Sequence, residues 1–196
     1  MKSSHKHHAS DTYGAYREDM AILSTLHQWD TKLLQRLYEQ GQRRQSLSYC
    51  ARSVSRSGDG YLQIAFPAAA WLSGTELLGV YLLTLGVALA MERCSYLVLK
   101  NGLQRRRPQE ILPGFKALVA PPDRFSFPSG HTSAAFCLAS TTGIVFGGPF
   151  AVLYAWACGV AVSRVLLGAH FPGDTVAGAV IGSGLALLAE TLVGVQ

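Results

Sequence analysis

Three short stretches of this sequence hold residue types suited to phosphate chemistry. Residues 100–108 (KNGLQRRRP) supply Lys100 and Arg107, residues 128–131 (PSGH) supply Ser129, Gly130 and His131, and residues 163–174 (SRVLLGAHFPGD) supply Arg164, His170 and Asp174. A phosphomonoester carries about two negative charges near neutral pH, and its loose transition state spreads charge over three equatorial oxygens, so fixed cations are the main catalytic resource. Arginine offers a planar fork for bidentate contact and lysine a compact point charge, so the pair of types can clamp several oxygens from different directions. One imidazole can attack phosphorus while neutral, and a second, protonated one can give a proton to the departing alkoxide. If PSGH opens a helix, its backbone N–H groups and the Ser129 hydroxyl point at the anion, and Gly130 lets the main chain approach it.

Each stretch also has an ordinary reading. A lysine or arginine beside an apolar segment is usually an interfacial anchor, and Arg105 and Arg106 can be only that. PSGH alone is a Pro-Ser helix start, and Ser-Arg with a distant histidine recurs by chance. The order and spacing carry the argument. They resemble the three-part signature of the type 2 phosphatidic acid phosphatase superfamily, K-x(6)-R-P, then P-S-G-H, then S-R-x(5)-H-x(3)-D. Lys100, Arg107, Pro108, Pro128, Ser129, Gly130, His131, Ser163, Arg164, His170 and Asp174 fill every position. The resemblance implies an all-helical membrane bundle with its catalytic groups at one membrane face. It assigns His170 as the nucleophile forming a phosphohistidine and His131 as the general acid, with Lys100, Arg107, Ser129, Gly130 and Arg164 binding phosphate. Asp174, four residues after His170, is then spaced to hold the other ring nitrogen and stabilise the developing imidazolium. No metal or other cofactor is required.

Composition places that chemistry in a membrane. The chain has 196 residues, enough for one domain, and only 15% are charged, against about 25% in soluble proteins. From Thr132 to Gln196 the charged side chains are Arg164, Asp174 and Glu190 alone. Soluble helices need a polar face, and these segments have almost none. The apolar pattern predicts an all-α integral membrane bundle of about five transmembrane helices, at roughly residues 60–74, 77–99, 131–147, 149–168 and 174–194. Residues 73–75 and Gly147-Gly148-Pro149 mark tight connections. Gly178 and Gly182, four apart, suit close approach of a neighbouring helix. Glu92 and Arg93 stand inside an apolar segment, where charges pair or face the bundle interior. Many members of the family carry six spans, against five here.

Residues 1–58 form an amino-terminal interfacial region and residues 59–196 the membrane-embedded domain. Ile22, Leu26, Trp29, Leu33 and Leu37 recur at helical spacing opposite Gln28, Lys32, Gln35 and Arg36, which predicts an amphipathic helix lying at the membrane surface against the bundle. His5, Lys6, His7 and His8 read as a polar tail before a metal tract. No stretch has the form of a cleaved export signal. Cys50, Cys94, Cys137 and Cys158 lack any C-x-x-C pairing and read as small buried hydrophobes. The net charge of +5 sits beside spans and at the signature, so anionic lipid, not nucleic acid, is the expected partner.

The reading that results is a phosphatase of lipid phosphates or diphosphates, with phosphatidate, phosphatidylglycerol phosphate and polyprenyl mono- or diphosphates as candidates. Membrane lipids and the lipid substrate are its expected partners. A vanadium-haloperoxidase-like or soluble acid-phosphatase-like enzyme shares such a site but calls for a soluble framework. A non-enzymatic membrane protein of the same fold would tolerate degraded signature positions, and none is degraded. The expected location is a bacterial inner membrane. Five spans put the amino-terminal region and the 100–131 loop on one side, and every lysine and arginine outside the spans falls with them. By the positive-inside rule that side, catalytic site included, is cytoplasmic.

Overall fold

The protein was analysed as a computed structural model that describes residues 5–121 and 123–194, with side chains described from residue 24 onward. Among these residues the chain is all-helical. The helices are α1 (His5–Arg43), α2 (Gln45–Ser57), α3 (Tyr61–Leu72), α4 (Leu78–Leu103), the short α5 (Pro108–Ile111), α6 (Gly130–Phe146), α7 (Val152–Leu166), entered through a 3-10 turn at Gly148–Ala151, and α8 (Pro172–Val193). By length and composition, Leu78–Ile111, Gly148–Leu166 and Pro172–Val193 can cross a membrane. Helices α3 and α6, with 12 and 17 residues, reach only about 18 and 25 Å, short of the roughly 30 Å of hydrocarbon.

The bundle is built round α6, which packs most extensively along α8 and lies against α4 and α7. Glycines on α8 make the first of these contacts possible: a Cβ at Gly182 would stand 2.1 Å from the Ser133 carbonyl oxygen, and one at Gly178 would stand 2.7 Å from that of Ser129. The hydroxyls of α6 are satisfied by neighbouring helices, with Tyr81 on Thr142 at 3.1 Å and Tyr154 donating to Ser140 at 2.9 Å. Glu92 is buried and accepts from the Ser133 hydroxyl on α6. Arg93 instead lies over the Tyr96 ring, 5.0 Å from its centroid. The outer surface is apolar, with Val98 71% and Val180 67% exposed, as suits helices that face lipid tails rather than water.

Two expectations need correction. The face of α1 that meets the bundle is not the Leu26–Trp29–Leu33 stripe but the adjacent one: Leu34 is buried with Val165 and Phe171, Leu37 packs beside it, and Gly41 lies against the Leu166 carbonyl. Leu26, Trp29 and Leu33 are exposed. Leu33 and Leu34 differ by about 100° round the helix, so α1 carries two apolar edges, one for protein and one left outward. The side chain of Ile22 and those of residues 5–8 lie outside the described residues. Among the cysteines only Cys137 is buried; Cys50 on α2 is exposed, and so are Cys94 and Cys158 on the bundle helices, where an apolar residue facing lipid gains nothing by turning inward.

Candidate active site

Alternation of the helices brings the signature to one end of the bundle. Lys100 ends α4, Arg164 ends α7, His131 opens α6, and Asp174 opens α8 immediately after the loop that carries His170. The Ser129 N–H donates to the Asp174 carbonyl at 3.1 Å, tying the starts of α6 and α8 together. Pro108 starts α5 at its first helical position, directly after Arg107. Phe127-Pro128 is cis.

His170 is buried, and its Nδ1 lies 2.8 Å from the Ser126 carbonyl oxygen. A carbonyl only accepts, so Nδ1 carries the proton and Nε2 keeps its lone pair. Nε2 lies 3.4 Å from Arg107 Nη1. Burial is the largest cause pushing the His170 pKa down, to about 4; the charges of Arg107 and Arg164 add to it and Asp174 opposes it. The imidazole is therefore neutral through the physiological range. Asp174 Oδ2 stands 3.8 Å from Nδ1, an ion-pair distance and not the hydrogen bond that the spacing suggested.

Asp174 is itself held from several sides. Its Oδ2 accepts from the Ser126 hydroxyl at 2.5 Å and from the Phe171 N–H at 2.9 Å, and its Oδ1 takes Arg105 Nη1 at 2.6 Å. Arg105 Nη2 donates to Asp30 of α1 at 2.6 Å, and the other oxygen of Asp30 accepts the Gly173 N–H at 2.7 Å. The amino-terminal helix thus reaches the end of the bundle that carries the signature through one carboxylate.

Lys100 and Arg107 meet on a residue that sequence reasoning passed over. Asp123 Oδ1 lies 2.7 Å from Lys100 Nζ and 2.7 Å from Arg107 Nη2, and its Oδ2 accepts from the Tyr96 hydroxyl at 2.7 Å. Burial works to raise the Asp123 pKa, but donation from Lys100, Tyr96 and Arg107 outweighs it and brings it down to about 2. Arg107 also donates through Nη1 to the Ala169 carbonyl at 2.6 Å. Tyr96 explains Gly130 as well: a Cβ there would stand 2.7 Å from the tyrosine ring, so the close approach is to an aromatic face and not only to a ligand.

The Ser129 hydroxyl is engaged with Thr132 Oγ1 at 3.0 Å, and Ser163 bonds back to the Val160 carbonyl at 2.6 Å. This leaves the first-turn N–H groups of α6, which have no intrahelical acceptor, as the polar groups that PSGH offers. His131 Nε2 is 2.6 Å from Asp59 Oδ1, in the turn between α2 and α3. Arg164 donates through Nη1 to Ser55 at 2.7 Å. Its Nε and Nη2 are buried and have no acceptor among the described residues. A cavity of about 540 Å³ opens over this end, lined by His170, His131, Asp59, Asp123, Tyr96 and Gly130 among others.

Asp30, Asp59 and Asp123 were therefore absent from the sequence reading, which named Arg105 only as an interfacial anchor. For the first three nothing in spacing could have found them. Arg105 had a signal, since three consecutive arginines exceed what one interfacial anchor needs.

A neutral imidazole, cations on three helical elements and carboxylates behind the histidines thus gather at one end of the bundle, a combination able to hold an oxyanion. Residues 81–195, more than half of the chain, match the PAP2 superfamily, and the chain belongs to it. It is 36% identical over 100 residues to decaprenylphosphoryl-5-phosphoribose phosphatase of Mycolicibacterium smegmatis, covering 49% of this chain and 51% of that protein. The protein of that name from Mycobacterium tuberculosis is 30% identical over 97 residues, covering 50% and 52%. The chain thus spans about half the length of the curated relatives it matches. Two crystal structures share the fold. Aquifex aeolicus LpxE superposes with a TM-score of 0.70 at 24% identity, covering 82% of this chain and 93% of that one. A transmembrane PAP2-type phosphatidylglycerolphosphate phosphatase from Bacillus subtilis gives 0.67 at 23%, covering 86% of each. The protein is an integral membrane protein of this superfamily.

Proposed function

We propose that the protein is a membrane phosphatase that hydrolyses lipid phosphate or diphosphate monoesters through a phosphohistidine. The observation that carries this reading is the pair of buried, acceptorless N–H groups on Arg164, placed at the same end of the bundle as a neutral His170. Buried donors without acceptors cost about 1–3 kcal/mol each, and an arriving phosphate oxygen relieves that cost. In the reaction, the Nε2 lone pair of His170 attacks phosphorus as the P–O bond to the lipid breaks, and His131 passes its proton to the departing oxygen. Water then attacks the phosphohistidine, His131 takes a proton back, and inorganic phosphate leaves. Lys100, Arg107, Arg164 and the N–H groups from Gly130 hold the phosphoryl oxygens. Asp174 stabilises the charge that His170 acquires, and Asp59 orients His131.

The lipid substrate follows from the membrane setting and from the polyprenyl-type substrates named for the relatives. Because the cradle recognises a common anion, purified protein in detergent should release phosphate from more than one member of a panel of phosphatidate, phosphatidylglycerol phosphate and polyprenyl diphosphate. Activity confined to a water-soluble sugar phosphate overturns the lipid reading.

The basic flanks of a five-span topology favour a bacterial inner membrane with the site on the cytoplasmic face. A single cysteine placed in the 109–127 loop, in a background lacking the four native ones, should resist an impermeant thiol reagent in intact cells and label only after lysis. Labelling of intact cells places the site on the outer face.

A further inference from the structure

The cavity over His170 continues into a second one of about 500 Å³. His131 and Asp59 line both, and the second is otherwise walled by Arg52, Ser55, Arg56 and Arg164, with the 118–120 segment of the loop as its lid. Arg52 and Arg56 stand one turn apart on α2, where like charges repel. Among the described residues neither forms an ion pair. The Nε of Arg52 is buried without an acceptor, as are Nε and Nη2 of Arg164. Asp59, the carboxylate within reach, is engaged with His131. Three arginines therefore line one chamber whose donors exceed its acceptors.

The position of this chamber gives it a meaning. On the roles proposed above, which this inference rests on, the reacting phosphorus lies at His170 and the departing oxygen lies at His131. Whatever the departing oxygen carries must extend past His131, into the arginine-walled chamber. A diacylglycerol leaving group offers these donors only neutral ester oxygens. A leaving group with its own phosphate has the oxygens they lack, in the fork geometry that guanidinium groups match.

We propose that Arg52 and Arg56, together with the outer edge of Arg164, form a second phosphate subsite, so that the preferred substrates are lipids whose leaving group itself carries a phosphate. Two sources share that chemistry: a lipid diphosphate, in which the second phosphate is adjacent, and a phosphodiester-linked headgroup phosphate, in which it is several bonds away.

The test uses the full chain in detergent with two pairs matched in their tails: phosphatidate against phosphatidylglycerol phosphate, and polyprenyl monophosphate against polyprenyl diphosphate. In each pair the member with a second phosphate should show a higher kcat/KM. In R52Q/R56Q that preference should shrink roughly tenfold or more, through KM, while R52K/R56K keeps part of it. Loss in the diphosphate pair alone identifies the adjacent source, and loss in the diacyl pair alone identifies the phosphodiester source. A preference unchanged in R52Q/R56Q, or absent from the parent, overturns the subsite. If the double variant loses its helical circular dichroism, R56Q alone, at an exposed position, is put to the same comparison. If the parent releases phosphate from none of the four lipids, it is the phosphatase reading that fails. The subsite is then decided by calorimetry with pyrophosphate and orthophosphate. Pyrophosphate should bind about tenfold more tightly to the parent and lose that advantage in R52Q/R56Q; equal binding to the parent overturns it.

Discussion

The two cationic walls of the site differ in how their charge is balanced. Lys100 and Arg107 share an internal counter-ion, Asp123, at 2.7 Å from each. Among the described residues Arg164 has the Ser55 hydroxyl as acceptor and two buried N–H groups without one. A wall with its own anion is stable when empty and must give up or share that contact when phosphate arrives. A wall without one is costly when empty and gains the full contact on binding. Substrate binding energy should therefore come mainly from the Arg164 side, while the Lys100–Arg107 side sets where the phosphorus sits relative to His170. The histidines repeat the contrast: His170 is sealed among backbone groups, whereas His131 meets a half-exposed carboxylate in a turn.

The largest expected effect belongs to His170, the proposed nucleophile, on which both walls converge. His170→Ala should lower phosphate release by at least about a thousandfold, since His131, the other imidazole on the cavity, is held by Asp59 and is the proposed acid. Activity within tenfold of the parent removes His170 from that role, and with it the reason for comparing the walls at all.

Acidity probes the same atom reversibly. With burial bringing the His170 pKa down to about 4, Nε2 stays unprotonated from neutrality down to about pH 5. Its protonation then removes the nucleophile as pH falls further. The acid limb that His170 contributes to kcat/KM should begin near pH 5 and steepen to about tenfold per unit below 4. A titration near 6.5, the ordinary histidine value, read on His170 itself by its 15N chemical shifts, would show that burial beside Arg107 and Arg164 does not lower it.

Next in size is the strut behind Asp174. Arg105 holds Oδ1 of Asp174 and is itself held by Asp30 of α1, which leaves Oδ2 turned toward His170. Arg105→Gln should lower kcat about tenfold to a hundredfold with KM little moved, and Asp30→Asn should give a smaller fall of the same kind. Arg105→Lys should recover part of it, since a point charge can reach one oxygen but not bridge two carboxylates. A rise in KM with kcat unchanged makes Arg105 a substrate-binding group and moves it to the side of Lys100 and Arg107.

That strut also marks where sequence reasoning stops. The signature residues were legible because their spacing is itself the message: Lys100 and Arg107 on one helix end and the turn after it, His170 and Asp174 one turn apart. The membrane bundle was legible because almost no charge follows Thr132. Asp30, Asp59 and Asp123 were not, because each meets a partner 16 to 143 residues away and a lone aspartate in a loop or on a polar helix face carries no period. The packing face of α1 was misread for a related reason. Leu33 and Leu34 are neighbours in sequence, and only the position of Phe171 decides which of them is buried. The length of α3 was overestimated, since the helix starts after the left-handed Gly60 and ends before Ser73, whereas α6 has the 17 residues expected of it, shifted one position earlier.

The smallest expected effect tests the counter-ion directly. Asp123 lies where a phosphate oxygen would meet Lys100 and Arg107, and with its pKa brought down to about 2 it is an anion at every pH at which the enzyme can be assayed. A phosphate entering beside it meets a like charge a few ångströms away, an opposition of a few kcal/mol at an effective dielectric of about 20 that half-exposure and the paired cations reduce further. Asp123→Asn keeps the size and one acceptor for the cations but removes that charge. Vanadate and inorganic phosphate should then inhibit about threefold to tenfold more tightly. The same change leaves Lys100 buried without a counter-ion, so the ligand-free variant should melt below the parent, and saturating phosphate should narrow the difference. The two signs together separate a competitor from a scaffold. Weaker inhibition alongside the lower melting temperature means that Asp123 aligns Lys100 and Arg107 for the substrate, and that the balanced wall is pre-organised by its anion instead of restrained by it.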